Sequence, residues 1–191
     1  MVDQNPLNLD QSIEWISSGK ILAHPTEGVW GLGCDALNKE AYLNLFKLKK
    51  RSSNKSFILL ASSIQIVKKY SNPLDPKDEI FLSNHWPGPV TFLIKYKESI
   101  PEHLKNNTGK LAFRVSNHYP LKALFKRFNS VMVSTSANIS GKEILNNGPE
   151  IIKTFANNNH LAYYDEELGK ETKPTTIIAV SYTHLTLPTK A

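Results

Sequence analysis

The chain has 191 residues, 40% of them hydrophobic, and carries 23 Lys and Arg against 17 Asp and Glu, for a net charge of +6. That length accommodates one domain with a sizeable core, and no Ser/Gly/Pro-rich linker or internal repeat divides it. Apolar runs are short, the N-terminus lacks a basic-then-apolar leader pattern, and there is a single cysteine. These features exclude a transmembrane helix, a disulfide framework within the chain and a Cys-rich zinc site, so a cytoplasmic protein without membrane contact is expected.

In chain order, the first predicted helix covers 10–18, with Asp10 as N-cap and Gly19 just past the end. A strand over 20–24 then runs into a glycine-rich segment, 25–35, where three glycines let the backbone approach a ligand closely or adopt positive φ, and where no strand is predicted. Its spacing is G-x-x-G-x-G, which fits neither the dinucleotide fingerprint nor a P-loop. Apolar spacing at Tyr42, Leu45 and Phe46 predicts a helix over 39–49, and a strand over 57–61 follows. Further helices are predicted over 64–70, 76–85, 120–127 and 149–156, and further strands over 90–95, 111–115, 131–134, 161–164 and 175–180. Strands and helices interleave, so the expected fold class is α/β, a single domain on a twisted sheet.

Three segments carry polar chemistry. Val131-Met132-Val133 is followed by Ser134-Thr135-Ser136-Ala137-Asn138, a group of hydroxyls and an amide able to hold phosphate or carboxylate oxygens, or else a polar turn satisfying its own backbone. Lys47, Lys49, Lys50, Arg51 and Lys55 form a basic run without an acid, suited to a polyanion or simply to a solvated helix end. Arg114 lies inside the apolar strand Leu111-Ala112-Phe113-Arg114-Val115 and needs an anionic partner, either a ligand or an internal carboxylate. Cys34 reads as a small packing residue beside the glycines, and Trp86-Pro87-Gly88-Pro89 as a rigid turn whose tryptophan packs. His118 reads as a core or helix-start histidine, and His24 and His85 are given no role.

Five blocks in order then stand out. They are Pro25-Thr26-Glu27 with Gly31-Leu32-Gly33-Cys34, Lys49-x-Arg51-x-x-x-Lys55, Trp86-Pro87-Gly88-Pro89-Val90-Thr91, Phe113-Arg114-Val115-x-x-His118, and Ser134-Thr135-Ser136-Ala137-Asn138-x-Ser140-Gly141. Together they resemble the YrdC-like family, threonylcarbamoyl-AMP synthases that begin N6-threonylcarbamoyladenosine formation in tRNA. The resemblance spans about 21–177. It implies an open, mixed sheet with flanking helices and a concave active-site cavity, in a domain covering 7–180.

The resemblance also implies the chemistry: L-threonine, bicarbonate or carbon dioxide, and ATP give threonylcarbamoyl-AMP and pyrophosphate. Such a reaction relies on charge placement rather than on a side-chain nucleophile, so no catalytic nucleophile is assigned. By correspondence of motif, Lys49, Arg51, Lys55, Ser136 and Asn138 would bind ATP. Thr26, Arg114, Ser134 and Thr175 would bind threonine. Magnesium would enter on the ATP phosphates, since no acidic ligand cluster is visible and no metal site is assigned. Implied partners are the downstream tRNA threonylcarbamoyl-transfer proteins, and the positive charge allows direct tRNA binding. The alternative is a non-catalytic RNA-binding module of the same fold. Two departures stand against the family pattern. Ser52 replaces a proline after the arginine, and residues 181–191 match no expected ending and read as a non-native tail.

Overall fold

The computed structural model describes residues 6–51, 56–156, 158–171 and 176–179. Six helices and eight strands occur among them. They are α1 (Leu9–Ser17), β1 (Ile21–Pro25), β2 (Trp30–Asp35), α2 (Lys39–Lys49), β3 (Ile58–Ala61), α3 (Ile64–Tyr70), α4 (Pro76–Ser83), β4 (Val90–Lys95), β5 (Lys110–Val115), α5 (Tyr119–Phe125), β6 (Met132–Ser136), α6 (Gly148–Thr154), β7 (Leu161–Tyr163) and β8 (Thr176–Ala179). The strands form one mixed sheet in the order β7-β1-β2-β6-β3-β5-β4-β8. β7 and β1, β3 and β5, and β4 and β8 pair parallel, and the remaining neighbours pair antiparallel.

The glycine-rich segment contains a strand that the sequence reading did not predict: Trp30–Asp35 runs between β1 and β6. Its alternation explains why. Trp30, Leu32 and Cys34 point into the core, while Gly31 and Gly33 face the other way. The first helix also starts earlier than the sequence suggested. Asn8, not Asp10, is the N-cap, and it exchanges hydrogen bonds with Gln11 in a capping box.

Strand alternation divides the sheet into two unlike faces. One face carries Ala23, Leu32, Val133, Leu59, Phe113 and Phe92 and is buried under α2, α3, α4 and α6. Tyr42 and Leu45 of α2, Val67 of α3, Leu82 of α4 and Ile151 of α6 join that core. The opposite face is covered only in part. Leu22, Leu60 and Met132 meet Ile16 of α1 and Leu121, Leu124 and Phe125 of α5 in a second, smaller core. Beyond that core, a straight cross-strand row runs Gly33, Ser134, Ile58, Ala112, Leu93 and Ala179. Ile58, Ala112, Leu93 and Ala179 in that row stay partly exposed, whereas their neighbours on the core face are mostly buried. A half-covered face of small and apolar residues is a floor on which a ligand can lie.

Candidate functional site

The polar residues singled out in the sequence gather along this open face and its ends. β6 presents Ser134 and Ser136 two residues apart on the same side, and both pair with the glycines of β2. Arg114 on β5 lies opposite Leu60, which puts it on the same face as the serines.

At one end of the face, Lys49 closes the C-terminus of α2 and is only 1% exposed. Its ammonium donates to the carbonyls of Ser136 (2.5 Å) and Asn138 (2.8 Å) and to Asn138 Oδ1 (3.0 Å). Asn138 Oδ1 also accepts from Ser136 Oγ at 2.8 Å, and Asn138 Nδ2 donates to the Lys142 carbonyl at 2.6 Å. Lys49, Ser136 and Asn138 are thus one knot that ties α2 to the end of β6, reinforced by Ser140 N donating to the Lys49 carbonyl. Burial, with the nearby Arg51 charge, brings the Lys49 pKa down to about 8. Arg51 extends past the knot, its guanidinium 5.0 Å from the centre of the Phe57 ring and Nη2 donating to the Ser56 carbonyl at 3.1 Å.

On the same face, Arg114 forms a buried ion pair with Glu27, in the turn that follows β1. Ser116 Oγ donates to the second Glu27 oxygen at 2.7 Å. Burial alone would raise the Glu27 carboxyl, but the Arg114 charge and the Ser116 hydrogen bond outweigh it and hold the pKa below the ordinary value. Thr26 turns its hydroxyl onto the Val29 carbonyl at 2.7 Å and so closes the turn that carries Glu27. A strap, 165–171, crosses that turn: Gly169 N donates to the Thr26 carbonyl at 2.9 Å and Glu171 N to the Glu27 carbonyl at 2.8 Å. His118 is the N-cap of α5, as the helix-start reading expected, and its Nε2 meets the Glu167 carbonyl at 2.9 Å.

Ser134, Ser136, Asn138, Lys49, Arg114 and Thr26 therefore converge on one half of one face. Lys55 and Thr175 lie outside the described residues. Glu27, Ser116 and His24 belong to the site and were not selected from sequence. Glu27 could have been found, because the buried Arg114 called for a carboxylate and one sits in the Pro-Thr-Glu turn. Ser116 and His24 are assigned only by their contacts. Cys34 is buried on the core face, where desolvation pushes its thiol pKa up, so it packs and does not react. No group of three or more His, Cys, Asp or Glu able to hold a metal occurs among the described residues.

A family model, Sua5/YciO/YrdC, described as "Telomere recombination", matches residues 14–187. The chain belongs to this family. It is 35% identical over 172 residues to the threonylcarbamoyl-AMP synthase of Aliivibrio fischeri, covering 89% of this chain and 92% of that one. It is 38% identical over 162 residues to that of Buchnera aphidicola subsp. Acyrthosiphon pisum, covering 84% and 91%. Among solved structures, the P. abyssi Sua5 complex with L-threonine superposes with a TM-score of 0.80 at 24% identity, covering 92% of this chain and 52% of Sua5. E. coli YciO also superposes with a TM-score of 0.80 at 24% identity, covering 94% and 86%. Family membership and fold thus agree with the open-faced mixed sheet.

Proposed function

We propose that the chain makes threonylcarbamoyl-AMP from L-threonine, bicarbonate or carbon dioxide, and ATP, and so starts N6-threonylcarbamoyladenosine formation in tRNA. The observation that carries this reading is the convergence of one arginine, two serines and a lysine–asparagine knot on a single half-open sheet face. The names of the relatives at 35–38% identity support the same activity. The bond changes balance without a protein nucleophile. The threonine amine adds to carbon dioxide and loses a proton to give a carbamate, with water leaving if bicarbonate is the donor. A carbamate oxygen then forms a bond to the α-phosphorus of ATP as the bond to pyrophosphate breaks.

Each group of side chains on the face has a task in this scheme. Arg114 receives the threonine carboxylate, exchanging or sharing its Glu27 partner, with Ser134, Thr26 and Thr175 around the same amino acid. Arg51 and Lys55 hold the triphosphate, and Ser136 and Asn138 contact ATP from the end of β6. Lys49 adds its positive charge there while keeping Ser136 and Asn138 in place. Magnesium arrives on the ATP phosphates, because the Glu27 carboxylate at the site is already engaged by Arg114 and Ser116. The product passes to proteins that transfer the threonylcarbamoyl group to tRNA, and the net charge of +6 suits direct tRNA contact.

The deciding experiment is pyrophosphate release from ATP, measured with and without L-threonine and bicarbonate, with serine and no amino acid as controls. Release that needs both threonine and bicarbonate is expected. Salt-sensitive RNA affinity with no release would overturn the synthase reading in favour of an RNA-binding module.

A further inference from the structure

His24 is completely buried on β1, yet its imidazole reaches across β2 to Ser134 on β6. Glycine in the intervening strand makes that reach possible. A Cβ on Gly31, the cross-strand partner of His24, would stand 2.7 Å from Cε1 of the ring, and one on Gly33 would stand 3.1 Å from Nε2. The ring therefore lies in a lane cleared by two absent side chains, and at its far end Nε2 is 3.4 Å from Ser134 Oγ.

The direction of these hydrogen bonds follows from the groups involved. Nδ1 is 3.4 Å from the Pro25 carbonyl, which can only accept, so Nδ1 carries the proton. Burial disfavours the charged ring and holds its pKa down to about 4, against the nearby Glu27 charge and with those of Arg114 and His118. A neutral ring protonated at Nδ1 leaves a lone pair on Nε2. Ser134 then donates its hydroxyl proton to Nε2, and the lone pairs of Oγ remain for a ligand on the open face.

We propose that His24 is a positioning residue that fixes Ser134 as a hydrogen-bond acceptor, so that this pocket selects an amino acid presenting a donor there, from its amine or its β-hydroxyl. The inference rests on the threonine-binding reading of this face. It gives a function to a buried histidine that neither core packing nor the reaction scheme uses. It also explains why a strand in the middle of the sheet carries glycine at two successive positions on one face.

The test combines kinetics with a spectroscopic readout of the ring. His24→Phe fills the same lane without an acceptor. It is expected to raise the KM for L-threonine about tenfold, the scale of one hydrogen bond, while the KM for ATP moves less than about twofold. In a Ser134→Ala background the same substitution is expected to add nothing, because its effect passes through the hydroxyl. With L-valine as ligand, a retained penalty in threonine-free binding assays assigns the donor to the amine and a lost penalty assigns it to the β-hydroxyl. Both results uphold the proposal. Equal shifts in both KM values, or a penalty that multiplies in full onto Ser134→Ala, would overturn it.

The 15N resonances of the His24 ring provide the second readout and need no activity. A neutral ring protonated at Nδ1 is expected, with the Nε2 resonance moving in Ser134→Ala. A ring protonated at Nε2 would sink the proposal even if His24→Phe proved too unstable to assay. Wild-type protein that neither binds threonine nor releases pyrophosphate would instead overturn the functional reading beneath it.

Discussion

Arg51 lies over Phe57 just past the C-terminus of α2, whereas His85 packs against Phe81 and Phe92 with Nδ1 donating to the Phe81 carbonyl at 2.8 Å. In the proposed scheme the first meets the triphosphate, whereas the second packs against aromatic rings next to α4. Arg51→Ala should lower kcat/KM for ATP by about two orders of magnitude, the scale of losing a charged contact to the transferring phosphates. His85→Ala should leave kcat/KM within about twofold of wild type. Steady-state kinetics on both variants would expose an error in the site assignment if the losses were equal.

Lys49→Met would take the ammonium away from three oxygen acceptors at the end of β6, of which the Ser136 carbonyl still accepts from Asn138 N and Asn138 Oδ1 from Ser136 Oγ. It should cost about 1–3 kcal/mol in urea denaturation, as well as activity, because the Asn138 carbonyl loses its donor and the knot loses its centre. His24 supplies a pH signature. Its pKa falls from 6.5 in the unfolded chain to about 4 in the fold, so between these values the unfolded state binds more protons. Stability should therefore drop as pH falls from 6.5 to 4, by about 3 kcal/mol in all at 1.36 kcal/mol per unit. The paired Glu27 adds to the loss only at lower pH, below its ordinary carboxylate value. His24→Phe should flatten the upper part of that curve in denaturation measured across pH.

At the scale of elements, β2 shows how one strand serves two faces. Trp30, Leu32 and Cys34 hold it in the core, and Gly31 and Gly33 keep the other side clear for His24 and the ligand floor. Gly31→Ala would push a methyl group to 2.7 Å from the His24 ring and 3.2 Å from Ser134 Oγ. It should destabilise the fold by about 1–3 kcal/mol, the usual range for overpacking, and weaken threonine binding. Thermal unfolding and calorimetric titration would register the two effects separately. The period-2 pattern Trp-Gly-Leu-Gly-Cys was present in the sequence, but glycine weakens strand propensity, so no strand was expected there. Only its pairing with β1 and β6 supplies the missing stability. The start of α1 has a similar cause: Asn8 and Asp10 both suit an N-cap, and the reciprocal bond to Gln11 selects Asn8.

At the scale of the whole molecule, the strap over 165–171 connects the β7 edge of the sheet to the Arg114–Glu27 part of the site. It rests on the Thr26–Glu27 turn through Gly169 and Glu171, and on His118 through Glu167. A Cβ at Gly169 would fall 2.2 Å from the Glu27 carbonyl oxygen. Gly169→Ala should therefore lift the strap, speed amide exchange at Gly169 and Glu171, and raise the threonine KM, while the melting temperature changes by only a few degrees. Unchanged exchange at both amides would mean that the strap does not depend on that close approach.

The sequence by itself determined the α/β class, most of the helices and strands, and the residue types of the site. Each rests on information local to the chain: apolar period, capping residues, and polar groups at the ends of apolar runs. Sequence also required that Arg114 meet an anion, because a guanidinium inside an apolar strand cannot remain uncompensated. The tertiary structure decided which anion meets it in the unliganded protein, namely Glu27, and that the Lys49 ammonium lies on the β6 end. It also decided that His24 reaches Ser134 across two glycines. Those outcomes depend on strand order and on which face each residue takes, and both are set by pairings between segments far apart in the chain.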